Sequence, residues 1–232
     1  RRLTLIEHNY PFNFPELINR GVECASGTQI VILNNDIEII SPVWLEALLQ
    51  HSQRAKVGVV GGKLLYPDNT VQHAGIIVGI GGYAGHAHKY FPVENNGYFN
   101  RINIVQNVSA VTAAFMMCKR TVFQEVDGFD AAFPTACNDV DFCLRVREKG
   151  YLNIYTPYAE AYHLESASRG YEDTLGKQTR FKREKLSFQT RHRDVLTSGD
   201  PYYNRNLSLD AESFEISQSL AQEYSTESQQ HS

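Results

Sequence analysis

The chain has 232 residues, 22 basic and 26 acidic, a formal net charge of −4, and 42% hydrophobic against 21% charged side chains. These are the proportions of a soluble globular chain with material for a sizeable core, and they argue against a nucleic-acid binder, which carries a basic excess. No apolar run reaches the length of a membrane span, the start has no signal-peptide layout, and the four cysteines contain no CxxC pair that would suggest a zinc site.

Cys24, Cys118 and Cys143 sit in apolar patterns and read as buried thiols of a reducing cytoplasm, with contact at the inner membrane face left open. The sequence opens on Arg1 rather than Met, as expected for a piece of a longer polypeptide.

In chain order, residues 3–7 alternate as a short strand. A helix follows over 14–25, with Pro15 in its first turn, Leu17, Ile18, Val22 and Ala25 as its apolar stripe, and Gly27 as its stop. QIVIL at 29–33 is a strand that ends in three polar residues, Asn34, Asn35 and Asp36. Ser41 caps the next helix, which shows Trp44, Leu45, Leu48 and Leu49 on one face. A strand over 57–66 is interrupted at Gly61 and Gly62 and meets a turn at Pro67, Asp68 and Asn69. A strand over 76–80 leads into a long loop rich in glycine and aromatic residues.

VSAVTAAFMMCKR is a strand, and TVFQEVDGFD a short helix stopped at Gly128. NDVDFCLRVREKGY is the clearest helix, with Asn138 as cap, acidic residues first, basic residues last and Gly150 as stop. LNIYTP is a last short strand. Alternating strands and helices predict an α/β sheet, mostly parallel and flanked by helices. The chain divides into a domain over 1–170, a basic helical extension over 171–210 and a polar, disordered tail over 211–232.

Ligands of open parallel sheets bind beyond the carboxyl ends of strands. Asn34, Asn35 and Asp36 occupy such an end, where one carboxylate and neighbouring amides suit a divalent cation. A turn followed by a cap explains the same residues. His163, just past the last strand, suits a metal beside carboxylates or a structural role. His86 and His88 have spacing compatible with metal but read as loop surface or acceptor contacts. Asp139 and Asp141 compensate a helix dipole, Asp141 in a capping-box position; either carboxylate could instead serve as a general base.

Taken together, FNFPELINRGVECASG, VILNNDIEI, GGKLLYPDNTVQHAG, VTAAFMMCKRTVFQEVDGFD, NDVDFCLRVREKGY, HLESASRG and DPYYNRNLS, in this order, resemble the family 2 glycosyltransferases of the bacterial rhamnosyltransferase-like branch. The resemblance implies a GT-A fold and an inverting transfer from a nucleotide-diphosphate sugar. The acceptor would be a saccharide or a polyprenyl-diphosphate-linked saccharide in surface polysaccharide synthesis.

It also implies Mn²⁺ or Mg²⁺ held by Asp36, Asn34 and His163, with Asp139 as catalytic base. Asn34, Asn35, Thr112, Ala113 and Arg169 would be donor contacts. Asn34 stands where the family has its first acidic residue, and Asn138 where it has Glu. The chain is expected to resemble a GT-A domain without the family's nucleoside-binding front, on the order of 60 residues.

Two other readings stay open at this level. One is a non-catalytic remnant or interaction module of the same fold. The other is a metal hydrolase built on Asp36, His163, His86 and His88. The basic run from Lys177 to Arg193 reads as a solvated helix face or as a contact for anionic lipid.

Overall fold

The computed structural model describes residues 3–164 and 174–218. Residues 3–7 form no strand: their alternation has no sheet partner among the described residues, and Leu3 and Leu5 stay 96% and 84% exposed. Helix α1 (Phe14–Cys24) starts where Asn13 accepts from the Glu16 N–H, with Pro15 in the first turn. It ends before Gly27, because Ala25 turns extended, and Cys24 is exposed rather than buried.

Strand β1 (Gln29–Leu33) buries Ile30 and Ile32, and β2 (Ile37–Ile39) follows after the polar tip. Helix α2 (Trp44–Ser52) turns Ala47 and Leu48 inward but leaves Leu45 and Leu49 exposed. Ser41 is not its cap; the Ser41 hydroxyl accepts from the Glu160 N–H instead.

Strand β3 (Val57–Leu65) is buried along its whole length, and its glycines do not interrupt it. A Cβ on Gly61 would lie 2.5 Å from Val111, and one on Gly62 2.5 Å from the Phe115 ring. Glycine here lets neighbouring chain lie directly against the strand. Strand β4 (Val71–His73) returns from the Pro67–Asn69 turn, and β5 (Ile76–Val78) pairs with β6 (Ala84–His86) in a separate hairpin.

After a long excursion come β7 (Gln106–Val108), β8 (Phe115–Lys119) and α3 (Arg120–Glu125). Cys137, not Asn138, takes the N-cap position of helix α4 (Asn138–Glu148), without a side-chain capping bond, and the Asn138 amide donates to the Phe133 carbonyl. Gly150, at φ 85°, stops it. Strand β9 (Leu152–His163) is twice the expected length. Pro157 marks a bulge rather than an end: Gly62 faces Thr156 while Lys63 faces Glu160, so β9 carries three extra residues over that step. The strand then resumes and delivers His163 to the rim.

The main sheet runs β1-β8-β3-β9-β2, with β4 added on β3 and β7 on β9. The α/β character is as expected, but the pairing is mixed rather than mostly parallel. Among the described pairings only β3 and β9 are parallel. The reason is connectivity: β8 enters from the excursion over 79–114, not through a crossover helix, so nothing obliges it to run parallel. Phe123, Phe129 and Phe142 pack from the side of α3 and α4, while Leu48 of α2 joins Val60, Leu64 and Phe115 in a second cluster.

Helices α5 (Leu175–Arg191) and α6 (Arg193–Ser198) follow the undescribed stretch. The chain then folds back onto the body. Asp200 accepts from the Val78 N–H and the Ser109 hydroxyl, and Phe214 stacks on His88 with centroids 4.2 Å apart. Residues 211–218, expected to open a disordered tail, therefore pack instead; residues 219–232 lie outside the described residues.

Candidate functional site

The polar tip of β1 crosses one rim of the sheet. The Asn34 N–H donates to the Ala114 carbonyl beyond β8, and the Leu164 N–H donates to the Asp36 carbonyl beyond β9. Because Ile37 pairs with His163, Asp36 is delivered beside the histidine that ends β9. Asp36 Oδ1 lies 3.2 Å from His163 Nε2, and Asn34 Nδ2 lies 3.4 Å from the same nitrogen.

Gln72, from β4, holds the other nitrogen of that ring. Its Nε2 donates to the His163 carbonyl at 3.4 Å, which turns Oε1 toward the ring, 2.7 Å from Nδ1. Nδ1 thus donates to Gln72, and Nε2, which faces Asp36, presents a lone pair in the neutral ring and an N–H in the protonated one. Apart from that nitrogen, buried Asp36 Oδ1 has no hydrogen-bond donor. In the neutral ring a lone pair opposes a carboxylate oxygen, which fits a shared cation. A histidine whose far N–H is held by a carbonyl oxygen is the usual arrangement of a metal ligand. One carboxylate and one imidazole, with an amide beside them, suit Mn²⁺ or a similar ion. Among the described residues no group of three or more His, Cys, Asp and Glu could hold a metal, so other ligands would have to come from outside this set.

A cleft of about 160 Å³ opens here, lined by Asn34, Thr112, Ala113, Thr135, Asp139 and His163 among others. Asp139 enters at the first turn of α4. Its Oδ2 accepts from the Ala113 N–H at 3.3 Å and its Oδ1 from the Val140 N–H at 2.9 Å. Burial pushes its pKa up from the ordinary carboxylate value, and the hydrogen bonds from Ala113, Val140 and Thr112 oppose the rise. The result is a carboxylate held in place at the cleft wall and more basic than a solvated one.

The cleft thus brings together Asn34, Thr112, Ala113, Asp139 and His163; Asp36 does not line it and joins through His163. Asn35 is exposed and does not line the cleft. Asp141 does not join it either. It is fully buried, with Arg145 at 2.8 Å and Arg191 and His192 each at 2.9 Å. Burial pushes its pKa up, but His192, Arg145 and Arg191 outweigh that and hold it low. It is an ion-pair centre tying α4 to α5, not a capping-box residue. Arg169 lies outside the described residues.

His88 is packed between Phe91 and Phe214 and accepts from the Tyr98 N–H, while His86 meets His73 at 3.0 Å. Their contacts serve packing, which leaves the hydrolase reading without its second pair of ligands. Several α5 cations also have structural partners: Arg180 pairs with Glu184 at 3.3 Å, and Lys185 donates to the Gly81 carbonyl. Among the described residues no helix is long and apolar enough to cross a membrane.

Gln72, Phe14 and Thr135 were not singled out from the sequence. Gln72 stands in a quoted segment, but a lone Gln in a three-residue strand carries no signal of its partner.

The fold is that of the GT-A glycosyltransferases. It superposes on the crystal structure of GalNAc-T7 with UDP, GalNAc and Mn²⁺ with a TM-score of 0.52 at 11% identity, over 83% of this chain and 40% of that one. In sequence the chain is 44% identical over 218 residues to protein y4gI of Sinorhizobium fredii (strain NBRC 101917 / NGR234), which is described as uncharacterized. It is 37% identical over 211 residues to the O-antigen biosynthesis protein RfbC of Myxococcus xanthus. Those alignments cover 94% and 90% of this chain but only 24% and 16% of the two relatives. The chain matches no protein-family model.

Proposed function

We infer that this chain carries the transfer centre of an inverting glycosyltransferase. It would move a sugar from a nucleotide-diphosphate donor to a saccharide or lipid-linked saccharide in surface polysaccharide synthesis. The observation that supports this most is that His163, with Asp36 3.2 Å behind its Nε2, and the Asp139 carboxylate come from remote stretches of chain and line one cleft with Asn34. The GT-A fold and the name of the Myxococcus relative support the same direction.

Asp139 is the general base. Ala113, Val140 and Thr112 donate to it, and a carboxylate has about four acceptor sites, so an acceptor hydroxyl can also donate to it. The acceptor oxygen forms its bond to the anomeric carbon from the face opposite the diphosphate. Its proton passes to Asp139, the bond to the diphosphate oxygen breaks, and the configuration inverts. Backbone at Thr112 and Ala113 lines the donor side and fixes the angle of Asp139 through the Ala113 N–H. A divalent cation, Mn²⁺ or Mg²⁺, held by Asp36 and His163 with Asn34 beside them, would supply charge neutralisation at the diphosphate. No acid residue is needed for a leaving group that departs as a stabilised anion.

The test is turnover of UDP-, dTDP- and GDP-sugars by the chain and by Asp139→Asn. Loss of a general base lowers the rate by roughly 10²–10⁴-fold. An Asp139→Asn protein that turns over donor and acceptor at the parent rate would overturn the assignment.

A further inference from the structure

We propose that the stacked pair Tyr66 and Tyr90 is a saccharide platform, the subsite on which a sugar ring of the acceptor rests while its hydroxyl meets Asp139. The proposal rests on the transferase reading of the cleft. It is carried by the stacking of the two rings and by the exposure and backbone strain of Tyr90.

The rings lie 5.2 Å apart between centroids at an interplanar angle of 12°. Tyr90 is 64% exposed, so burial of its ring in the core does not account for the arrangement. Its backbone sits at φ 65°, in the left-handed region that bulky side chains rarely occupy. Strain of that kind persists only where the surroundings impose it, and it concentrates at ligand sites. Here the restraint is visible: the Tyr90 N–H donates to the Val71 carbonyl and the Val71 N–H donates to the Phe91 carbonyl, both at 2.7 Å.

The rings do not line the cleft themselves, but backbone ties connect them to the strands that position His163 in its wall. Val71 directly precedes Gln72, whose side chain holds His163. Tyr66 directly follows Leu65, which pairs with Tyr162, the neighbour of His163. The Tyr162 hydroxyl donates to Asn69 Oδ1 in the turn between Tyr66 and β4. Tyr66 thus follows the last residue of β3, and Tyr90 is hydrogen-bonded to Val71 of β4, so both adjoin the strands that position the histidine.

Its chemistry fits a pyranose. A sugar ring presents a face of C–H groups, which packs on the electron-rich face of an aromatic ring, and a rim of hydroxyls. Asp68 and Asn69, both exposed, follow Tyr66 in the turn, and the ammonium of Lys89 lies over the Tyr90 ring, 5.0 Å from its centroid, where a bound sugar would displace it. These are donors and acceptors for that rim. A nucleobase also stacks on aromatic faces, so the experiment separates the two.

Saturation-transfer NMR of the chain with methyl α-L-rhamnopyranoside, methyl β-D-galactopyranoside and uridine reads the platform directly. The comparison variants are Tyr90→Asn, which removes the ring but suits left-handed backbone, and Tyr90→Phe, which keeps it. Thermal melting confirms that each is folded. Transfer to the ring protons of at least one glycoside is expected, with affinity roughly tenfold lower in Tyr90→Asn and kept in Tyr90→Phe. Absence of transfer to both glycosides, equal transfer in Tyr90→Asn, or Tyr90-dependent transfer to uridine alone would overturn the proposal.

With a turning-over donor and acceptor, Tyr90→Asn raises the KM for acceptor and leaves the KM for donor in place. Glycoside binding without any sugar transfer would keep the platform and remove the transferase reading. Transfer with an unchanged acceptor KM in Tyr90→Asn would do the reverse.

Discussion

Gln72 Oε1 stands 2.7 Å from His163 Nδ1, and the Gln72 amide nitrogen is committed to the His163 backbone carbonyl. One side chain therefore holds Nδ1 as a donor and aims Nε2 at Asp36. Replacing Gln72 by Leu removes that restraint while keeping the bulk of the side chain. Outer-shell partners of this kind change metal affinity by roughly 10–100-fold, and Mn²⁺ titration followed by calorimetry should show a loss in that range. Without metal, the ¹⁵N spectrum of His163 should move from the Nδ1–H tautomer to a mixture. Unchanged Mn²⁺ affinity and an unchanged tautomer would show that Gln72 has no such role.

Asp139 gives a pH prediction with a definite sign. Burial raises its pKa, and its reactive form is the carboxylate. Activity is therefore present above the raised pKa and lost as pH falls through it, so the acid limb of kcat/KM should lie above the range of a solvated aspartate. Thr112→Val removes one hydrogen bond that favours the ionised form, and it should move the limb to higher pH. Stability runs the other way. Ionised Asp139 costs the folded state free energy at neutral pH, so Asp139→Asn should melt at an equal or higher temperature.

The sequence marked the polar tip, the helix of Asp139 and the position of His163, because each breaks a local pattern: polar residues end an apolar strand, or acids open a helix. Partners fixed by register were invisible. Gln72 faces His163 only because β4 folds against β3, which pairs with β9. Pro157 concealed the length of β9, since proline in a strand ordinarily signals an edge or an end, and here it sits in a bulge. The parallel sheet failed for a similar reason: helix–strand alternation carries no information about a strand that returns after a long irregular loop.

Asp141, two residues from Asp139, should behave as a structural residue. Removing it leaves Arg145, Arg191 and His192 without their shared carboxylate. Breaking a buried pair in this way costs about 3–5 kcal/mol, so denaturant unfolding of Asp141→Ala should show a loss of that order. The contribution of Asp141 is present above the unfolded aspartate pKa and lost as pH falls through its lowered folded value. Any activity that survives, counted per folded molecule, should keep the pH profile of the parent. An altered acid limb without lost stability would instead make Asp141 part of the chemistry.

His88 should make the fold acid-sensitive. Its ring is stacked on Phe214, its Nε2 accepts from the Tyr98 N–H, and burial together with Arg101 lowers its pKa from 6.5 to about 4. Between those values the unfolded chain binds a proton that the folded chain refuses, so stability falls as pH drops from 6.5 toward 4. The shift corresponds to at most about 3 kcal/mol. His88→Phe keeps a ring against Phe214 but leaves the Tyr98 N–H unpaired, a cost of about 1–3 kcal/mol at neutral pH. The variant should therefore be less stable than the parent at pH 7 and should lose less stability on acidification. Urea unfolding at several pH values measures both, and parallel stability curves for the two proteins would show that His88 is not the titrating group.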